Sequence, residues 1–362
     1  MVPPLHCTST FFYTQYMVLP NLNKTKAEVK KLIKKGLIAL AVLFVVFILI
    51  RIVITIKNII LPDPSLLPQN SFGKLPAIPF PNNLEDPPPT YSLDTITGLL
   101  PSFQKIVKVY KIIPVKTDLL AFQRAKDRVL QAGFTKEPTL VSKDYYQWAE
   151  QNPPQTITMN IFSLDFTFLT PYLTATNMQT FSDSDELKTA INDAQLFLDN
   201  LSFFPNIDKG KTKTIYYSIK ENALSPATSI SNTNIVRVDF FQKDIENLPI
   251  YYEKISKSSI NLLVGKPENR LKVVEGHYSY KKISDESSTY AIKTADEAFI
   301  ELKQGESYIA IKPESNNIPI KNVSLGYYMG EERGDFLMPV FVFQGDGFIA
   351  YVSAVTDEWI SN

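Results

Sequence analysis

Leu37 to Ile56 reads LIALAVLFVVFILIRIVITI, twenty residues that carry one charge, Arg51. As a helix rising about 1.5 Å per residue, this stretch covers roughly 30 Å, the hydrocarbon thickness of a bilayer. Sixteen of its residues are Leu, Ile, Val or Phe, and their summed transfer gain outweighs the roughly 3 kcal/mol of a central Arg. Arg51 lies off-centre, where its head reaches an interface. No face of the stretch repeats polar residues, which argues against a buried core helix. The reading is therefore a membrane helix over residues 36–57.

Charge gives the direction. Residues 1–57 hold eight Lys or Arg against Glu28 alone, a net +7, and the remainder of the chain stands at −7, so the whole is neutral. Six of the lysines precede the apolar run, which by the positive-inside rule puts a basic tail (1–35) in the cytoplasm and residues 58–362 outside. Lys57 to Pro68 offers no small-x-small cleavage site, so the segment reads as an uncleaved signal-anchor, with the chain in the cell membrane as a single-pass protein. Met1 to Tyr16 differ in character from the rest of the chain, and Met17 is an equally good start. On that reading His6 and Cys7 have no role.

Pro62 to Pro89 contains nine prolines in 28 residues. Proline fixes φ and lacks the amide donor, so the span 58–100 is expected as an extended stalk. Leu66, Leu67, Phe72, Ile78 and Phe80 are its candidates for docking on the domain beyond.

After residue 100 strand and helix signals alternate. Lys105–Ile113 reads as a strand. Thr117 and Asp118 are placed to cap a helix that stops at Gly133. Gln155–Leu169 is rich in β-branched and aromatic residues. A second helix opens at Ser182–Asp185, and strands follow at Lys213–Ile219 and Ile235–Phe241. Leu271–Ile283 reads as one strand, Thr294 and Asp296 open a third helix that ends at Gly305, and strands follow at Ser307–Ile311 and Lys321–Tyr328. A hairpin closes the chain, with arms Pro339–Gln344 and Phe348–Val355 joined through Gly345-Asp346-Gly347. Three times a Ser/Thr-plus-Asp helix start precedes strands. The expected fold class is α+β: a single transmembrane helix, a Pro-rich stalk, then repeated helix-plus-antiparallel-sheet units, in subdomains 101–180 and 181–362.

The closing segment, Val323-Ser-Leu325-Gly-Tyr327-Tyr328, Leu337-Met-Pro339-Val340-Phe341-Val342-Phe343 and Ala350-Tyr351-Val352-Ser-Ala354-Val355, resembles the end of PepSY-like domains, especially those of YycH/YycI-type regulatory proteins. The likeness covers Tyr290–Val355. It implies one N-terminal membrane helix, an extracytoplasmic α+β region, and a regulatory module that acts on a membrane kinase or an envelope protease. It brings no catalytic residues with it.

Residue chemistry narrows function mainly by exclusion. Zero net charge argues against a nucleic-acid partner, which needs a basic field. One cysteine allows no intrachain disulfide and no CxxC zinc site. Outside the first residues the chain has one histidine, His277, flanked by strand-forming tyrosines and read as an ordinary half-exposed strand residue. S-x-x-K occurs at Ser71, Ser102 and Ser279, about as often as chance gives, without K-T-G or S-D-N. Gly210-Lys211-Thr212 has Pro205 where a phosphate loop needs glycine. Asp183, Asp185 and Glu186 read as a helix cap. Glu331, Glu332 and Asp335 read as a solvated loop, with a carboxylate pair for glycoside cleavage as the alternative. The pairs Tyr145–Tyr146, Tyr216–Tyr217, Tyr251–Tyr252 and Tyr327–Tyr328 should each bury one ring and show the other, because neighbours on a strand face opposite ways. The expected function is a non-enzymatic binding or regulatory protein of the cell envelope, with no catalytic, cofactor or metal residues. Its partners are the lipid bilayer and an envelope or membrane protein. The alternatives are a carboxylate-dependent envelope hydrolase and a structural scaffold.

Overall fold

The computed structural model describes residues 30, 34, 35, 37, 38, 40, 44–48, 51, 67–81, 89–201, 207–255, 257–313, 315–332 and 334–361. The chain divides into two compact units, Met1–Leu66 and Leu67–Asn362, and each is described by itself.

In the first unit every described residue is helical and exposed. The expected membrane helix over 36–57 is corrected here: among the described residues, no helix is long and apolar enough to cross a membrane. Much of Leu37–Ile56, and most of the expected tail over 1–35, lies outside the described residues. The signal-anchor and the single-pass topology with its cytoplasmic and extracytoplasmic sides fall with that helix.

The second unit is mostly β. Its strands are β1 (Leu75–Pro76), β2 (Thr90–Leu93), β3 (Ile106–Ile112), β4 (Thr139–Ser142), β5 (Tyr145–Gln151), β6 (Pro154–Asn160), β7 (Phe166–Leu169), β8 (Met178–Gln179), β9 (Ile207–Lys220), β10 (Ala223–Pro226) and β11 (Ile235–Gln242). They continue with β12 (Ile250–Tyr252), β13 (Ile260–Pro267), β14 (Lys272–Tyr278), β15 (Ile283–Ala291), β16 (Tyr308–Ile311), β17 (Asn317–Ile320), β18 (Asn322–Met329), β19 (Phe336–Gly345), β20 (Phe348–Ser353) and β21 (Ile360–Ser361). The α-helices are α1 (Ala121–Gln131), α2 (Ser184–Asn200) and α3 (Ala295–Gln304).

A ten-stranded sheet runs β10-β9-β11-β13-β14-β7-β6-β5-β4, with β8 on β13. A seven-stranded sheet runs β12-β18-β19-β20-β16 and takes in β3 and β15. Repeated helix-plus-sheet units are therefore not what forms. The strands before and after α2 merge into one large antiparallel sheet, which leaves fewer unpaired edges than separate small sheets would.

Local chemistry explains the helices. Asp183 caps α2, its carboxylate accepting from the Asp185 and Glu186 amides. Thr294 and Glu297 form a reciprocal capping box on α3, and Gly305 ends it at φ +84°. At α1, Asp118 lies a step too early to be the cap; it accepts the Leu120 amide at 2.8 Å and holds the Arg124 guanidinium instead. Ala121, Ala125, Val129, Ala190, Ala194 and Leu198 bring α1 and α2 against one face of the ten-stranded sheet, onto Val236, Val238, Ile157 and Leu262. Ala298 and Leu302 of α3 pack on Phe341, Phe343 and Val352 of the other sheet.

Three reversals use the same dipeptide. Glu221-Asn222, Glu246-Asn247 and Glu268-Asn269 all take positive φ at both residues, the backbone of the reversed two-residue turn that matches strand twist. The stretch expected as one strand from Leu271 to Ile283 is two, β14 and β15, and they belong to different sheets. Residues 279–282 between them carry the chain from one sheet to the other. In the proline-rich region, Leu75 is fully buried and pairs with Ile360, Phe72 lies on Phe336, and Phe80 meets Tyr328 edge-on at 4.9 Å.

Candidate functional site

Strand register builds a polar row. Asp239 pairs with Lys213 on one side and Asn261 on the other, Asn261 with His277, His277 with Thr167, Thr167 with Thr158, and Thr158 with Gln147. Residues directly opposite share a face. Val238 and Phe240, on either side of Asp239, point into the helix-covered core, so the row lies on the other face. Its far half is open, with Thr167 and His277 exposed, and its near half is sealed, with Asp239 and Asn261 each 1 % exposed.

The open part of the row floors a cleft of about 480 Å³, with Thr158, Thr167 and His277 beneath. The loop between β12 and β13, through Glu253, Lys254 and Lys257, forms one wall, and the end of β18 with Gly330 and Glu331 forms another. These walls are tied together. Lys254 Nζ donates to both Glu331 carboxylate oxygens at 2.7 and 2.8 Å, and the Glu331 amide donates to Glu253 Oε2 at 2.8 Å. Lys281, in the crossing segment, donates to the carbonyls of Gly330, at 2.6 Å, and Glu332. The Tyr252 hydroxyl accepts the Gln242 amide, and Gln242 Nε2 donates to the Lys281 carbonyl, both at 3.0 Å.

Electrostatics follow from those contacts. The surrounding walls desolvate the His277 ring and Lys257 repels its positive form, so its pKa lies below the ordinary imidazole value although one edge meets solvent. Glu331 raises the pKa of Lys254. Burial pushes the Tyr252 hydroxyl up to about 12. At the sealed end of the row, burial raises the Asp239 carboxyl despite Arg237 at 3.1 Å, and Asp239 Oδ1 has no hydrogen-bond partner among the described residues. Lys257 makes no side-chain hydrogen bond or ion pair among the described residues.

Of the residues singled out in the sequence, Tyr145, Tyr252, His277, Ser279 and Glu331 come together at the cleft. The Asp335 carbonyl instead accepts the Ile112 amide at 2.8 Å, and Asp183, Asp185 and Glu186 open α2, where Glu186 also holds the buried Lys266 at 2.7 Å. Gly210-Lys211-Thr212 lies within β9, and Lys211 pairs with Asp244. Tyr145–Tyr146 and Tyr216–Tyr217 each show one ring more than the other. Tyr327 and Tyr328 are both buried, against expectation, because core covers both faces of β18 there. Sequence reasoning misses Thr158, Thr167 and Lys257: register between strands distant in sequence assembles the row, and no spacing along the chain encodes it. Among the described residues no group of three or more His, Cys, Asp or Glu is arranged to hold a metal ion.

A scan against protein-family models finds no match, and a search of curated proteins finds none. Among solved structures the chain is similar to an uncharacterized protein from Eubacterium rectale ATCC 33656, at 13% identity and a TM-score of 0.38, over 70% of this chain and 84% of that one.

Proposed function

We propose that the chain is a non-catalytic recognition module that holds a polar ligand in the cleft over Thr158, Thr167 and His277. The state of the cleft's ionisable groups carries this reading. A catalytic imidazole needs a third group that orients it beside a nucleophile, and the His277 ring makes no hydrogen bond among the described residues. Carboxylate hydrolysis needs one carboxyl protonated and a second ionised across the substrate. Glu331 and Glu253 are instead engaged in holding the wall, which weighs against the hydrolase alternative. Beside these engaged groups the cavity is lined by hydroxyls, the His277 ring, Lys257 and the Asp165 carboxylate, which accepts the Tyr280 amide, a mixed polar set suited to binding.

The test is a thermal-shift screen of small polar ligands on the wild type and on Thr167→Trp, which fills the floor from an exposed position. Ligands that stabilise the wild type, lose their effect in the variant and are recovered intact support the reading. Ligands that act equally on both proteins, or that come back cleaved, overturn it.

A protein partner, the class expected from the sequence, finds support at one further place. Strand β4 ends the ten-stranded sheet with Leu140 and Val141 both exposed, an edge able to accept an added strand.

A further inference from the structure

Resting on the cleft as the binding site, we propose that its ligand is an acidic oligosaccharide, a short run of hydroxyl-bearing rings with at least one carboxylate. The floor itself argues for this class. Strands β6, β7 and β14 are each paired on both sides, so their main-chain donors and acceptors are consumed by the ladder. An extended peptide, which binds sheets largely through main-chain hydrogen bonds at an edge, finds no such groups here. Only side chains remain to be read, and they are the kinds that pair with sugar hydroxyls.

The spacing has a direction. Gln147, Thr158, Thr167 and His277 stand on four neighbouring strands in direct register, a line of roughly 14 Å at one strand separation per step. Gln147 Nε2 already donates to Thr158 Oγ1 at 3.1 Å, which leaves that hydroxyl's own proton to donate outward. The Tyr145 ring lines the cleft and is 40 % exposed, an amphipathic face suited to the C–H side of a sugar ring.

Charge supplies the acid. Lys254 is matched by Glu331, Lys281 is occupied by two carbonyls, and Asp165 accepts the Tyr280 amide. Lys257, exposed above the floor and near enough to His277 to depress its protonation, forms no ion pair among the described residues, although the Asp165 and Glu253 carboxylates line the same cleft. One ligand carboxylate at that end of the row balances it.

Calorimetric titration with a galacturonate tetramer, the matching neutral galactose tetramer and a tetraglutamate peptide separates the outcomes. The expected result is saturable binding of the uronate, at least tenfold tighter than either control. Lys257→Gln and Thr167→Val should each weaken it about tenfold, with unfolding midpoints unchanged because both sites are exposed. Equal binding of tetraglutamate, or uronate binding that neither substitution weakens, overturns the proposal. If the uronate fails while other ligands from the Thr167→Trp screen bind the cleft, the sugar assignment falls and the recognition reading stands. If no ligand responds to Thr167→Trp, both fall.

Discussion

Lys254 and Glu331 stand 77 residues apart in the chain and meet in a forked ion pair, 2.7 and 2.8 Å from one ammonium to the two carboxylate oxygens. The pair joins the loop after β12 to the loop after β18, and so fixes the width of the cleft. Both side chains are more than half exposed, and exposed pairs contribute about 1 kcal/mol or less to stability. Lys254→Met is therefore expected to leave the unfolding midpoint nearly unchanged while the wall loosens. Hydrogen exchange should accelerate in residues 330–332 and ligand affinity should fall further than stability. A large drop in the midpoint would assign the pair a folding role instead.

The wall also depends on a missing side chain. A Cβ at Gly326 would sit 2.5 Å from the Tyr251 ring and 2.6 Å from the Pro249 carbonyl oxygen. Strand β12 lies parallel to β18 at this point, and only glycine allows that approach. Gly326→Ala is expected to cost about 1–3 kcal/mol through overpacking, and the displaced β12 should carry Glu253 and Lys254 with it. Denaturant unfolding measures the first effect and ligand titration the second; an unchanged midpoint would contradict the close packing.

Arg237 and Asp239 form the sealed end of the polar row, with side-chain exposures of 11% and 1%. Removing one partner from a buried pair strands the other, so Asp239→Ala is expected to cost about 3–5 kcal/mol. Replacing both, as Arg237→Met with Asp239→Leu, should recover most of that, because a well-packed apolar pair needs no desolvation of charge. Urea unfolding of the single and double variants tests the comparison. A double variant as unstable as the single one would mean that the pair specifies this region rather than merely filling it.

Parts of this architecture are legible in the sequence and parts are not, for physical reasons. Asp183, Thr294 and Gly305 mark helix ends because capping is local, a matter of three or four residues. Gly345-Asp346-Gly347 marks its hairpin for the same reason. The Glu-Asn turns pass unnoticed because Glu at positive φ is uncommon, although Asn222, Asn247 and Asn269 are the signal that could have found them. Strand β15 is hidden by its polar run Ser284-Asp285-Glu286-Ser287-Ser288, whose side chains are in part exposed. The merger of strands into one ten-stranded sheet, and with it the row from Asp239 to Gln147, depends on pairings across up to about a hundred residues. Likewise a twenty-residue apolar run satisfies a length and hydropathy rule, and among the described residues no helix is long and apolar enough to cross a membrane.

Leu75 tests how the proline-rich region is used. It is fully buried with Val109, Tyr290 and Met338, and the preceding turn is held by the Tyr290 hydroxyl, which donates to the Gly73 carbonyl at 2.9 Å. Leu75→Ala is expected to cost about 2–5 kcal/mol, the range for emptying a core leucine site, and to expose residues 67–81 to proteases. A variant as stable and as protected as the wild type would show that this segment only rests on the domain.

His277 gives the pH dependence, and the sign follows from the direction of its shift. The cleft walls and Lys257 lower its folded-state pKa beneath the ordinary value of 6.5. Above that value neither the folded nor the unfolded chain holds the proton, so this group contributes no slope. As pH falls through about 6.5, the unfolded chain takes the proton first and is stabilised relative to the fold. The contribution of His277 to stability is thus intact at neutral and higher pH and is lost progressively on acidification until the folded-state pKa is passed. His277→Gln removes the titration and keeps a polar side chain on the floor. Unfolding free energies of the wild type and the variant, measured at steps from about pH 8 to pH 5, should run parallel at the upper end and diverge below about 6.5, with the wild type losing more. Parallel curves throughout would mean that the imidazole titrates as it does in an unfolded chain, and that the walls do not enclose it.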